Sequence, residues 1–296
     1  MTVAYQHTLA GPAICAGVGV HSGDRVRVSI RPAPAGSGIV FVRTDISGDN
    51  RVPVSAEAVT QTRLCTVIAN ASGVTVATIE HLMAALAALE VDNAVIELDG
   101  PEVLIMDGSA LPFVQLLDRA GRRRQDIPRQ FIEILEPIEV EHKGATARLL
   151  PAAQFEAMFE IDFATPVIGR QVVDLVVTED SFREELADCR TFGFLKDVEA
   201  LRAAGLARGG SLDNAVVIDG DRILNEEGLR RPDEFVRHKA LDAVGDLYVL
   251  GAPVIGRFEG VYAGHHLNNL LCRAVMDRPS AWRWKPALAQ ALAEAG

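Results

Sequence analysis

The chain has 296 residues, enough for one large domain or two of ordinary size. Its 49% apolar and 23% charged residues are those of a globular protein, and a net charge of -11 excludes a phosphate-tracking nucleic-acid surface while leaving room for a local basic pocket. Four scattered cysteines, Cys15, Cys65, Cys189 and Cys272, form no CxxC pair and point to reduced thiols rather than a disulfide framework.

The N-terminus, Met1 to His7, has no basic stretch leading into an apolar core, so no signal peptide is expected and the compartment expected is the cytoplasm. Nothing reaches the run of about 18 apolar residues that a membrane-spanning helix needs. Residues 1–45 read as β structure: Arg25–Ile30 alternates with period 2, and Pro32 and Pro34 close that strand. The turn Gly17–Gly23 has the glycines of a phosphate cradle. It lacks the Lys-Ser/Thr of a P-loop and no helix pattern follows, so a loop needing positive φ is the simpler reading. Residues 62–77 read as a hairpin, with strands Arg63–Ile68 and Val74–Val76 around a turn at Asn70–Gly73.

Thr78 has the chemistry of an N-cap for a helix from Ile79 to about Leu89. That helix is apolar on every side and therefore reads as buried. Glu80 and His81 are then an ionisable pair at the start of a buried helix, either hydrogen-bonded and silent or part of a site. Strands at Asn93–Leu98 and Val103–Met106 and a helix at Ala110–Ala120 follow. Gly121–Pro128, charged and ending in proline, reads as a linker, with Arg122–Arg124 a solvated basic turn.

The second half repeats the order of elements. Strands are expected at Phe131–Glu141, Thr146–Leu150, Phe155–Phe163 and Val172–Val177, a helix at Ser181–Asp188, and extended chain at Cys189–Phe194. An amphipathic helix Leu195–Ala207 and a short strand Ala215–Ile218 come next. Pro232 at a first helical position, with Asp233 and Glu234 in the first turn, opens a helix that runs to about Leu250. A strand Val254–Tyr262, a turn at Gly264–His266 and a helix Leu267–Met276 complete the chain. The pattern predicts an α+β fold with two similar halves, residues 1–125 and 126–296, facing each other.

On the helix of residues 233–250, His238, Asp242 and Asp246 recur every fourth residue and share one face. Spacing alone leaves two readings open. The stripe is a solvated polar face, or His238 and Asp242 are two-thirds of a catalytic zinc site, which takes three protein ligands and keeps one position open. Phe235 and Val249 flank the stripe, which suits a cleft better than open water. His81 is a candidate third ligand, and His265 stands in a Gly-His-His turn of the kind that carries catalytic residues. Neither HExxH nor GxSxG is present, which excludes the zincin helix and the serine-hydrolase elbow.

Six stretches together carry a resemblance: Thr78–Leu82, Met106–Ala110, Arg190–Phe194, Asn225–Leu229, Phe235–Asp246 and Gly264–Asn269. From Gly17 to near residue 276 the chain resembles the UDP-3-O-acyl-N-acetylglucosamine deacetylases, zinc enzymes of the committed step in lipid A synthesis. The resemblance implies a fold of two β-α-α-β domains, each a mainly antiparallel sheet with two helices, their helices packed face to face around the site. It implies that His81, His238 and Asp242 hold Zn2+, and that Glu80 is the general base. His265 is implied as the general acid, oriented by Asp246, and Thr191 as a donor to the oxyanion. It implies that Lys239 contacts a substrate phosphate and that Phe194 and Lys143 lie near the uridine diphosphate. Phe192, Leu195, Val198, Leu201, Leu206, Ser211, Ala215 and Val217 are implied to line a passage for the acyl chain. The acylated UDP-amino-sugar fits the mean hydropathy of +0.16, high for such a protein. His266 stands where the family has a small or apolar residue and puts a second imidazole beside His265. A monomer without a nucleic-acid partner or a transmembrane segment is expected. The competing reading is a non-catalytic protein that binds a nucleotide-sugar or lipid in the same cleft; convergence of His81, His238 and Asp242 on one point separates the two.

Overall fold

The computed structural model describes residues 2–286 and 288–289. It is a mixed α+β fold built on two large, mostly antiparallel sheets. The first orders its strands Ala13–Val18, Arg25–Pro32, Ala94–Leu98, Ile39–Arg43 and Arg51–Pro53. Ala94–Leu98 lies between an antiparallel and a parallel neighbour, with Ile96 opposite Ile30 on one side and Phe41 on the other. The second sheet runs Ile138–His142, Ala145–Leu150, Val254–Val261, Gln130–Ile134 and Trp282–Pro286, with Phe155–Phe163 and Gly169–Val176 attached through Val254–Val261. The strict in-out burial of Val254–Val261 shows one face of this sheet packed and the other half open, as period 2 dictates.

Five helices matter to the site. We label them α1 (Glu80–Ala88), α2 (Leu111–Ala120), α3 (Leu195–Ala203), α4 (Glu234–Leu247) and α5 (His265–Asp277). Helix α2 packs on strand Ala13–Val18, and α5 packs on Ile138–His142 and Ala145–Leu150. Helix α4 lies on Phe155–Phe163 and Gly169–Val176, and its other side meets α1. Both faces of α4 are therefore covered, and its polar stripe is as buried as its apolar one. A small three-stranded sheet, Phe192–Phe194, Val216–Asp219 and Arg222–Ile223, packs against α3.

Several expectations need correction. Thr78 is not an N-cap: it has φ 57°, and its hydroxyl donates to Glu102 at 2.9 Å while Ile79 occupies the cap position. Pro232 lies before the Asp233 cap of α4, not inside its first turn. Gly121–Pro128 is not a loose linker. Residues Arg122–Pro128 form a strand paired with Tyr5–Leu9, and the expected boundary at 125 falls inside it. The side chains of Arg122, Arg123 and Arg124 are exposed, so no buried alternation marks this strand in the sequence. Residues 103–106 form no strand; only Glu102 makes a bridge, to Ala77. The chain bends at Met106, where φ is 55°. Residues 182–186 form a π-turn, and His265 lies in the first turn of α5 rather than in the turn before it. Among the described residues, no helix is long and apolar enough to cross a membrane.

Candidate metal and catalytic site

His81, His238 and Asp242 come together, buried, from the start of α1 and the middle of α4. Nε2 of His81 lies 3.5 Å and Nε2 of His238 3.4 Å from the same oxygen, Oδ1 of Asp242. That oxygen is buried without a hydrogen-bond partner. A buried carboxylate oxygen facing two imidazole nitrogens is costly unless a cation completes it. The donor separations match the edge of a tetrahedron with bonds of about 2.1 Å, which is about 3.4 Å. The residues therefore fit a tetrahedral divalent cation with nitrogen and oxygen donors.

The surroundings prepare these donors. Burial pushes the His238 imidazole down to about 3, so it is neutral and offers a lone pair. Its Nδ1 lies 3.1 Å from the Cys189 carbonyl, and the N–H donated there leaves Nε2 free to ligate. Burial works against the Asp242 charge, but the cationic Lys239 and His265 help hold its carboxyl well below the usual range. Cys189 is placed by its neighbour Arg190, a buried guanidinium whose Nε donates at 2.9 Å to the buried Glu234 at the start of α4.

Glu80, Asp246 and His265 form a second, titratable group beside the triad. Glu80 opens α1, and its Oε2 accepts from the Thr66 N–H at 3.0 Å. Burial raises its carboxyl above the ordinary 4.5, against the pull of His265 and His81. Nδ1 of His265 donates to Oδ2 of Asp246 at 2.8 Å. Burial alone would lower that imidazole, but Asp246 and Asp242 overcome it and raise it to about 9. A carboxylate pushed towards the basic side and an imidazole held protonated are complementary roles set by environment.

A cavity of about 610 Å³ connects these residues to an apolar passage. Glu80, His81, Thr191, His238, Lys239, Asp242 and His265 line it, and so do Phe192, Phe194, Leu195, Val198, Leu201, Ser211, Ala215 and Val217. No residue of α3 is fully buried, because its apolar side faces this hollow instead of the core. Leu206 lies past the end of α3 and outside the cavity lining, where Ala207 takes its place. Lys143 lies in a neighbouring hollow of about 470 Å³ with His142, Tyr262 and His266, sharing only His265 with the main cavity. Lys239 does not extend freely into the cavity: its ammonium donates to Oδ2 of Asp242 at 2.8 Å. His266 points away from the triad, 4.9 Å ring to ring from His142.

Other residues that hold this site had no role assigned from the sequence. Thr66 and Asn268 both donate to Asp246, at 2.6 and 2.9 Å. Thr66 gives no local signal, since its partner lies 180 residues away. Glu102 accepts the backbone N–H groups of His21 and Ser22 at 2.9 and 2.8 Å. The glycine-rich turn therefore spends its donors on a protein carboxylate, and a Cβ at Gly19 would come within 2.2 Å of it. Cys65 is buried outside the cavity lining, and burial raises its thiol to about 12, so it stays protonated.

Comparison with known proteins follows the same lines. The LpxC family model, described as UDP-3-O-acyl N-acetylglycosamine deacetylase, matches residues 6–277. A UDP-3-O-acyl-N-acetylglucosamine deacetylase of Phenylobacterium zucineum (strain HLK1) is 68% identical over 292 residues, covering 98% of this chain and 99% of its own. The protein of that name from Chromohalobacter salexigens is 52% identical over 279 residues, covering 94% of this chain and 92% of its own. A third, from Shewanella oneidensis, is 49% identical over 280 residues, covering 94% and 92%.

Proposed function

We propose, from the premise that the chain belongs to the UDP-3-O-acyl N-acetylglycosamine deacetylase family, that it removes the N-acetyl group of a UDP-3-O-acyl-N-acetylglucosamine as an amidohydrolase, the committed step of lipid A synthesis. One observation carries the reading at the level of the site: a single cavity is lined both by the His81, His238, Asp242 triad and by the uncovered apolar side of α3. A hydrolytic centre opening on an apolar passage suits a polar head with an acyl chain better than it suits a non-catalytic nucleotide-sugar binder.

We assign Zn2+ to the triad, on its His, His, Asp donor set and the donor separations given above. When bound there, zinc supplies Lewis acidity, polarising an amide carbonyl and making water a better acid. Glu80 takes the proton from the attacking water, which its raised basicity favours. Thr191, on the cavity wall, donates its hydroxyl to the oxygen that becomes negative, a contact of about 3 kcal/mol in comparable sites. The leaving amine needs a proton, and His265, held cationic by Asp246, gives it up. Lys239, which donates to Asp242, would be the contact for a substrate phosphate, and Phe194 and Lys143 would lie towards the nucleotide. Residues 1–125 and 126–296 are taken as two domains, one giving Glu80 and His81 and the other the remaining site residues. A cytoplasmic monomer completes the reading, and the net charge of -11 argues against a nucleic-acid partner.

The test is metal analysis beside an acetate-release assay. One metal per chain and loss of deacetylation with a chelator are expected; a metal-free protein of full activity sinks the reading. Glu80→Gln should lower kcat by about 100-fold or more with the metal retained.

A further inference from the structure

We infer that Thr66 is the positioning residue that ties the general base to the general-acid pair, an inference that rests on the roles given above to Glu80, Asp246 and His265. Thr66 is 2% exposed and spends all three of its polar groups on two helices. Its N–H donates to Oε2 of Glu80 at 3.0 Å. Its carbonyl accepts from the N–H of Ile79, the residue that caps α1, at 3.4 Å. Its hydroxyl donates to Oδ1 of Asp246, on α4, at 2.6 Å. That last distance is in the range of a charge-assisted O–H···O⁻ bond, the stronger kind.

Asp246 shows why the hydroxyl matters. Its Oδ2 accepts from both His265 and Asn268, at 2.8 and 2.9 Å. Its Oδ1 has Thr66 alone among the described residues. Without the hydroxyl, one oxygen of a buried carboxylate has no donor, and only the His265 and Asn268 bonds to Oδ2 still set the group's rotation about its Cβ–Cγ bond. The His265 ring is aimed by that carboxylate, so the angle at which its Nε2 meets the leaving amine loosens with it. The base and the acid approach the amide from different helices, α1 and α5, and Thr66 is a single residue that sets the position of both. An error in angle or distance at such a centre falls on turnover rather than on substrate binding.

Thr66→Val keeps the N–H, the carbonyl and the shape, and removes only the hydroxyl. We expect its kcat to fall roughly 10- to 100-fold with KM within about twofold, a loss typical of a misplaced catalytic group. Bound metal should remain at the wild-type level, and Thr66→Ser should recover kcat to within about threefold of wild type. In an Asp246→Asn background the same Thr66→Val change should cost less than about twofold, since the hydroxyl acts through that carboxylate. Should Thr66→Val not fold, Thr66→Ala carries the same comparison. A kcat within twofold of wild type for Thr66→Val, a change confined to KM, or full additivity with Asp246→Asn overturns the inference. Glu80→Gln run alongside separates the two failures: an active Glu80→Gln defeats the reading of the base itself, and an inactive one with normal Thr66→Val defeats only the role of Thr66.

Discussion

Nδ1 of His265 stands 2.8 Å from Oδ2 of Asp246, and both side chains are buried. This contact decides the charge of the imidazole. Burial alone would discharge it, and the two carboxylates Asp246 and Asp242 instead raise it to about 9.

The consequence is a bell-shaped pH profile with assignable limbs. In the proposed mechanism Glu80 acts deprotonated, and burial raises its carboxyl above 4.5, so activity should rise as pH climbs through that raised value. In the proposed mechanism His265 acts protonated, so activity should fall as pH rises through its pKa, raised to about 9 and lowered again where a dication occupies the triad. Asp246→Asn should move the basic limb to lower pH and cut kcat by about 10- to 100-fold, as the loss of an orienting and charge-holding carboxylate does. A basic limb in the same place in wild type and variant would assign it to another group.

Metal binding should depend on Asp242 more than on any neighbour outside the triad, because its buried Oδ1 faces both imidazoles and has no other partner. Asp242→Ala should reduce the metal content from about one per chain to near zero. Zinc added to chelated wild type should raise Tm, since a ligand at about 1,000 times its Kd stabilises by about 4 kcal/mol. The same addition should leave Asp242→Ala unchanged. A variant that still binds zinc at wild-type stoichiometry would remove Asp242 from the ligand set.

The apolar passage makes a claim about substrates. Leu201 is on the side of α3 that faces the cavity, so Leu201→Asp places a charge where an acyl chain would lie. Discrimination in kcat/KM between long- and short-acyl substrates should drop by roughly 10- to 200-fold, the scale of an apolar-pocket effect. Equal losses on both substrates would place the chain elsewhere.

Much of this was legible in the sequence, and the reason for the rest is physical. The i, i+4 spacing of His238, Asp242 and Asp246 holds on α4 because a helix fixes that geometry locally. Whether the stripe faced water could not be read from the helix itself: α1, from distant sequence, buries it. The apolar run of α1 marked it as buried, and the Glu80-His81 pair at its start was visible for the same reason. Thr66 and Glu102 were invisible, because each acts by a hydrogen bond across the fold and neither has a patterned neighbour. The strand Arg122–Pro128 was lost because both its faces are largely exposed, leaving no alternation to detect.

Gly245 tests how closely the two site helices must approach. It lies on α4, and a Cβ there would come within 2.0 Å of the Glu80 carbonyl and 3.0 Å of the Ala84 nitrogen. Both are backbone atoms of α1, which cannot yield as the end of a flexible side chain can. Gly245→Ala must therefore push α1 away from α4 and carry Glu80 and His81 with it. Ordinarily alanine stabilises a helix interior by about 1 kcal/mol over glycine. Here overpacking of about 1–3 kcal/mol should exceed that gain and lower Tm. The displaced His81 should also weaken metal binding, although Gly245 is not itself one of the assigned ligands. Equilibrium metal titration and thermal melts of the metal-free and metal-loaded variant separate the two effects. A Gly245→Ala protein that is more stable and binds metal as wild type does would show that α1 and α4 can separate without disturbing the site.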